Sequence, residues 1–86
     1  MSELLNAARL VLLENKDNAE ALYIMGLLEE KGIGTNQNKE ASFYYIAAAA
    51  RLEYPPALTR LGDYYYSGYF IDTNYESARL CYEKAG

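Results

Sequence analysis

The sequence predicts an all-α fold, a right-handed α-solenoid of antiparallel helix pairs with five helices. The first reason is that the chain repeats itself at a distance of 36 residues without a gap, as from Ala21 to Ala57 (57 − 21 = 36). The second is that apolar residues recur at helical spacing, and the third is that asparagine, proline and glycine stand where helices would begin and end. A fixed period of this length is typical of stacked helical repeats. The recurring positions, in pairs, are Ala21 and Ala57, Leu22 and Leu58, Gly26 and Gly62, Gly32 and Gly68, Asn38 and Asn74, Glu40 and Glu76, and Ala49 and Ala85.

The first two helices follow from their apolar stripes. A wide apolar stripe predicts a helix from about Ser2, its N-cap, to Glu14. The stripe consists of Leu4, Leu5, Ala8 with Arg9 beside it, Val11, Leu12 and Leu13. Turn residues follow, and Asp17 with Glu20 three residues later resembles a capping box at the start of a helix over about 18–31. We therefore expect two antiparallel helices joined by a short turn.

The remaining three helices have clearer boundaries. Gly32-Ile33-Gly34 ends the second helix, because glycine enters the left-handed conformation without steric cost. Asn38 is the predicted N-cap of a helix over about 39–52, and Pro55 begins the next, over about 55–67. Gly68 ends that helix and Asn74 caps the fifth.

The period also predicts how the chain is divided. Ser2, Asn38 and Asn74 are spaced by 36 residues, which makes the first helix the second half of a preceding unit. We expect one helical-repeat domain over 1–86, with a half repeat at 1–16, repeat one at 17–52 and repeat two at 53–86.

Composition excludes several classes of function. The net charge is −4 with no cluster of Lys or Arg, which argues against a nucleic-acid partner. No apolar run is long enough for membrane insertion. With one cysteine and no histidine, neither a disulfide, a metal site nor a cofactor is expected. The lack of a signal peptide slightly favours the cytoplasm, and secretion of a cleaved or excised chain stays open.

The two units resemble the Sel-one-like repeat family, a relative of tetratricopeptide repeats. The family pattern places Leu-Gly in the first helix, Gly-x-Gly after it and Tyr and Ala in the second helix. It is matched by Met25-Gly26, Gly32-Ile33-Gly34, Tyr45 and Ala49-Ala50, and again by Leu61-Gly62, Tyr65, Gly68, Cys81-Tyr82 and Ala85. The chain departs from the pattern at Glu29, Ser42 and Phe70, and it lacks the family's tryptophan. The resemblance implies a non-enzymatic adaptor that assembles protein complexes.

The candidate partner-binding residues lie on the first helix of each predicted pair, away from its apolar stripe. In tetratricopeptide-like stacks this side lines the concave groove, and its mixed apolar and acidic character suits a peptide with apolar anchors and a basic residue. The alternative is that the apolar members simply pack against the neighbouring pair. The candidates are Tyr23, Leu27, Glu30, Thr59, Asp63 and Tyr66.

Three other features need an interpretation. Tyr64-Tyr65-Tyr66 cannot all be buried on one helix face, so Tyr65 is expected to be structural and Tyr64 or Tyr66 more exposed. Glu29-Glu30 is expected on a solvated face rather than in an acid–base site. Without a nearby histidine, Cys81 is interpreted as a small apolar residue rather than a nucleophile.

The last helix presents an apolar stripe that no following helix covers. Stacks of repeats normally close with a polar outer face. Cys81 and Tyr82 are therefore candidate residues of a stack-end interface, which would mediate self-association or docking within a longer repeat array. This assembly role is the alternative to groove binding.

Overall fold

Five helices stack in chain order in the computed structural model, which describes residues 3–86. Each helix contacts chiefly its neighbours in sequence, and the stack measures 36 × 23 × 14 Å. No strand occurs in this part of the chain, so the predicted all-α repeat fold is confirmed. The helices are α1 (Glu3–Glu14), α2 (Ala19–Lys31), α3 (Lys39–Arg51), α4 (Pro55–Ser67) and α5 (Tyr75–Ala85). We call α2 with α3 the first helix pair and α4 with α5 the second helix pair.

Asparagine begins three of the five helices. The side chains of Asn18, Asn38 and Asn74 each accept a hydrogen bond at 3.0 Å from the backbone amide three residues later. The prediction of Asp17 at the start of α2 is wrong, because Asn18 one residue later is the N-cap. The predicted N-cap Ser2 lies outside the described residues.

The first helix of each pair ends at a glycine whose backbone is in the left-handed conformation. Gly32 (φ 71°) follows α2 and Gly68 (φ 77°) follows α4, and their amides bond to the carbonyls of Leu28 and Tyr64. In the loop between α4 and α5, Phe70 adopts φ 66°, a conformation that costs a non-glycine residue energy. Its ring lies 5.7 Å from that of Phe43, a packing contact that offsets this cost.

Two clusters of buried side chains hold the stack together. One joins the two helix pairs through Leu22, Ala49, Ala50, Ala57 and Leu58. The other attaches α1 to α2 through Leu5, Ala8, Met25 and Leu28. The stack therefore has no single central core, and each helix depends on its neighbours.

The spacing of 36 residues does not describe how α1 is packed. By that spacing Leu10 and Leu13 correspond to the fully buried Ile46 and Ala49, yet they are 63% and 82% exposed. Of the apolar residues predicted to line one side of α1, Leu5 and Ala8 are buried, whereas Leu4, Val11 and Leu13 are exposed. The 36-residue spacing, extended back to Ser2, therefore does not give the orientation of α1. In the structure, the apolar residues Leu10 and Leu13 face outward.

Candidate functional site

The six candidate groove residues occupy matching places on α2 and α4. Tyr23 and Thr59, Leu27 and Asp63, and Glu30 and Tyr66 are each separated by the repeat spacing, for example 59 − 23 = 36. Tyr23, Leu27 and Glu30 are half-buried, whereas Thr59, Asp63 and Tyr66 are exposed. The structure engages most of them in contacts within the chain, so their availability to a partner differs.

Glu30 joins the two helix pairs. Its Oε1 accepts a hydrogen bond of 2.7 Å from the Tyr64 hydroxyl, and its Oε2 lies 3.6 Å from Nη1 of Arg60. Both partners lie on α4, one turn apart. Glu30 is thus an internal polar contact of the stack, with its charge compensated by Arg60.

The expectation of a solvated Glu29-Glu30 face is wrong. Glu29 is buried in α2, and Glu30 is covered by α4. The residues that cover Glu30 come from the next helix pair, so no pattern within α2 indicated them. Among the three tyrosines, Tyr66 is the exposed one, as one of the two alternatives had it, at 61%. Tyr64 rather than Tyr65 is the most buried, at 3%, and Tyr65 is half-buried.

We predict that Tyr64 makes the fold sensitive to alkaline pH. Burial, then the hydrogen bond and charge of Glu30, raise the pKa of Tyr64 well above its ordinary value of 10.0. Since the folded pKa lies above the unfolded one, its stabilisation is complete below about pH 10 and is lost as the pH rises above that value. The melting temperature of the wild type should therefore fall more steeply above pH 10 than that of Tyr64→Phe.

Tyr66→Phe is the matched control for this measurement, because it removes an exposed hydroxyl from the same helix. At neutral pH, Tyr64→Phe should cost about 1.5 kcal/mol, the lower range for a hydrogen bond to a charged group. Parallel melting curves of wild type and Tyr64→Phe across the alkaline range would contradict the prediction.

Tyr23 is engaged by a ring contact. Its ring meets that of Tyr54 edge to face, with 5.6 Å between centroids. Both rings pack against the buried cluster that joins the helix pairs. The alternative considered for the apolar candidates, packing against the neighbouring pair, therefore describes Tyr23.

Leu27 lines a concavity of about 210 Å³ between α1 and α2. Every other wall residue is apolar except Lys31, which contributes from the end of α2. An apolar side chain of a ligand would fit such a surface. The wall residues are Leu4, Ile24, Leu27, Leu28, Lys31 and Ile33.

Asp63 contacts the neighbouring helix through its carboxylate. Oδ1 accepts a hydrogen bond of 2.5 Å from the hydroxyl of Tyr82 on α5. This bond, with smaller contributions from burial and from the charge of Asp63, raises the pKa of Tyr82 to about 12. Asp63 nonetheless remains exposed, so its charge faces solvent.

Tyr66 lies at the end of the stack, where its ring meets that of Tyr75 at 5.2 Å. The two rings border a concavity of about 520 Å³, which we call the end face. It consists of Tyr66, Tyr75, Ala78, Arg79, Tyr82 and Glu83. Tyr75 and Arg79 were not among the sequence-based candidates. They stand 36 residues after Lys39 and Phe43, so the repeat spacing could have indicated them.

Of the two stack-end candidates, only Tyr82 borders the end face. Cys81 borders a different concavity with Leu80 and Lys84, between α3, α4 and α5. Burial raises the pKa of the Cys81 thiol, which disfavours the nucleophilic thiolate. Within residues 3–86 there is no group of His, Cys, Asp or Glu arranged to hold a metal ion.

Comparison with known proteins identifies similar repeats. The family model described as Sel1 repeat, which is the Sel-one-like repeat of the sequence motifs, matches residues 19–54 and 55–86. The crystal structure of a Sel1 repeat protein from Oxalobacter formigenes is 29% identical, with a TM-score of 0.83 over 96% of this chain. The match spans 37% of that longer protein. No curated protein gives a significant match. None of the helices in the described residues is long and apolar enough to cross a membrane.

Proposed function

The chain belongs to the Sel1 repeat family, whose repeats are generally non-enzymatic protein-interaction modules, and from this premise we propose that it is a scaffold or adaptor presenting its α2–α4 groove to a peptide or protein partner. The chain spans 37% of the length of that solved Sel1 repeat protein. The observation that carries the proposal is the apolar concavity around Leu27, which lies between α1 and α2 and shares Leu27 with the groove candidates.

The shape and chemistry of this concavity indicate an apolar anchor. Its volume of about 210 Å³ suits one bulky apolar side chain. Leu4 and Ile33, which border it, are both substantially exposed. Exposed apolar residues grouped around one depression are typical of an interaction site rather than of a random surface.

The charge of the groove indicates the second element of the ligand. Glu30 is compensated by Arg60, whereas Asp63 is exposed and its carboxylate accepts a hydrogen bond from the neutral Tyr82 hydroxyl. A Lys or Arg of the ligand would be attracted to Asp63. We therefore infer a peptide in which an apolar residue stands near a basic one.

Selection from a displayed random-peptide library tests this function. The wild-type chain should enrich peptides that combine an apolar anchor with Lys or Arg. Leu27→Gln should weaken the selected peptides at least about tenfold, since it places a polar group in the apolar depression. Asp63→Asn should weaken them several-fold and reduce the salt dependence of binding.

Asn6→Ala is the control, because Asn6 is exposed, uncharged, outside the six candidates and not on the wall of the concavity. Circular dichroism melting of each variant separates a loss of binding from a loss of folding. The proposal is wrong if no such peptides are enriched, or if folded Leu27→Gln binds them as well as the wild type.

The second candidate function is assembly through the ends of the stack. The end face supports it, because exposed tyrosines surround a concavity larger than the one at Leu27. Tyrosine is favoured at interface anchors. The two functions use different surfaces and can be tested separately.

A further inference from the structure

The end face carries an unusual density of exposed aromatic area. Tyr66 is 61% and Tyr75 is 65% exposed, and Tyr82 completes the border of the concavity. Arg79 lies among them, held at 2.6 Å by Glu76 and at 2.8 Å by Glu83. Because two glutamates flank one arginine, these three residues together carry a net negative charge.

The repeat shows what covers the equivalent face elsewhere in the chain. The residues 36 positions before those of the end face are Glu30, Lys39, Ser42, Phe43, Ile46 and Ala47. In the first helix pair this face is covered by α4 and the loop that follows it. The end face is therefore the place where the stack would hold one more helix.

Three contacts describe how that covering works. The Tyr64 hydroxyl and Arg60 both bind Glu30. The ring of Tyr64 stacks on that of Phe43 with 6.1 Å between centroids. The Tyr69 hydroxyl lies 2.8 Å from Oγ of Ser42.

One side of α1 is left exposed by the rest of the described residues, 3–86. Leu5 and Ala8 of α1 pack against α2, so Leu10 and Leu13 lie on the other side of the helix. Leu13 is the most exposed large apolar residue of those described, at 82%. We call Arg9, Leu10 and Leu13 the outer face of α1.

The outer face of α1 has the same sequence pattern as the covering side of α4. Arg9-Leu10 and Leu13 stand in the order and spacing of Arg60-Leu61 and Tyr64. In α4, this arginine and this tyrosine bind Glu30. The helix α1 thus presents outward an Arg-Leu pair like that of α4, with the apolar Leu13 in the place of Tyr64.

We propose that the outer face of α1 docks on the end face of a second copy, so that copies associate head to tail. This proposal rests on the second candidate function and names its two surfaces. Leu10 and Leu13 enter the concavity, which at about 520 Å³ has room for both side chains. Arg9 lies over the ring of Tyr66 as a cation–π pair, near the carboxylates of Glu76 and Glu83.

Such an interface is heterologous, because two different surfaces meet. Heterologous contacts that do not close into a ring extend into open chains. A single helix against one face buries a small area, so association should be weak and should increase with concentration.

Sedimentation equilibrium of the full chain, with one variant for each surface, tests the proposal. The α1 variant carries both Leu10→Gln and Leu13→Gln. The end-face variant is Tyr66→Lys, whose positive charge would repel Arg9 of the docking copy. All three positions are exposed, and the melting temperatures should stay near that of the wild type. The average mass of the wild type should rise with concentration, whereas each variant alone should remain monomeric.

The equimolar mixture of the two variants gives the sharpest result. The α1 variant retains its end face and the end-face variant retains its α1, so together they should form dimers and nothing larger. If the wild type stays monomeric, the proposal is wrong, and the end face would instead bind a helix of another protein. A mixture that stays monomeric, or variants that associate alone, also overturns head-to-tail docking.

Leu27→Gln separates this proposal from groove binding, because Leu27 borders neither surface. It should lose the selected peptides and associate like the wild type. Loss of association in the folded Leu27→Gln variant would contradict the assignment of the interface.

Discussion

Alanine at Gly26 is expected to lower the free energy of unfolding by about 2 kcal/mol, although alanine favours helices over glycine by about 1 kcal/mol. A Cβ atom at Gly26 would lie 2.6 Å from Cδ1 and 2.7 Å from Cγ1 of Ile46. Ile46 has no exposed surface, so its side chain has little room to move. The strain of overpacking should therefore exceed the gain in helix propensity, and thermal unfolding should show a fall of about 10 °C.

Gly62→Ala is the matched control, because Gly62 holds the same place in the second helix pair. There the added Cβ would lie 2.6 Å from Cε1 of Tyr82, whose half-exposed ring can move toward solvent. Its loss of stability should be smaller, with loss of the Tyr82–Asp63 bond. Gly26→Ala combined with Ile46→Ala should lose less than the sum of the two single changes. A Gly26→Ala variant as stable as the wild type would show that α2 and α3 can separate without cost.

The helices were predictable because their boundaries depend on nearby residues. Asn38 and Asn74 cap α3 and α5 through amides three residues away, and Gly32 and Gly68 end α2 and α4. Each signal occurs twice at the same spacing, which separates it from chance. Local chemistry and the repeat therefore suffice for the order and type of the elements.

The packing of α1 was not predictable in this way. The apolar stripe expected for α1 included Leu4, Val11 and Leu13, and the structure exposes all three. Only Ser2 carried the register back to α1, and a single polar residue fixes no helix face. The turn before α2 comprises residues 15–18, whereas its counterpart before α4 comprises only residues 52–54, so the repeat does not fix the rotation of α1.

The environment of the candidate residues depends on the neighbouring repeat. Glu30 appeared solvent-facing within α2, but Arg60 and Tyr64 reach it from 30 and 34 residues later. Tyr66 borders the end face, and among residues 3–86 no helix lies against the second helix pair as α4 lies against the first. The spacing of apolar residues within one helix shows which side faces away from its own pair. Whether that side is exposed or buried depends on contacts with the neighbouring pair.

Alanine at Met25 is expected to cost about 3 kcal/mol and to loosen α1 from the stack. Met25 is 1% exposed and belongs to the cluster that attaches Leu5 and Ala8 of α1 to α2. Truncating a buried methionine removes apolar burial and leaves a cavity, at about 2–5 kcal/mol. Because α1 contacts chiefly α2, the loss should fall on α1, and its amides should exchange hydrogen faster than those of α4.

Leu61→Ala is the control, since Leu61 holds the corresponding place in α4 and is only half-buried. It should cost about 1 kcal/mol less and leave the exchange of α1 unchanged. If copies dock through the outer face of α1, Met25→Ala should also weaken association, although Met25 borders neither docking surface. Equal losses of stability at the two positions, with α1 amides still protected, would show that α1 is held by contacts other than this cluster.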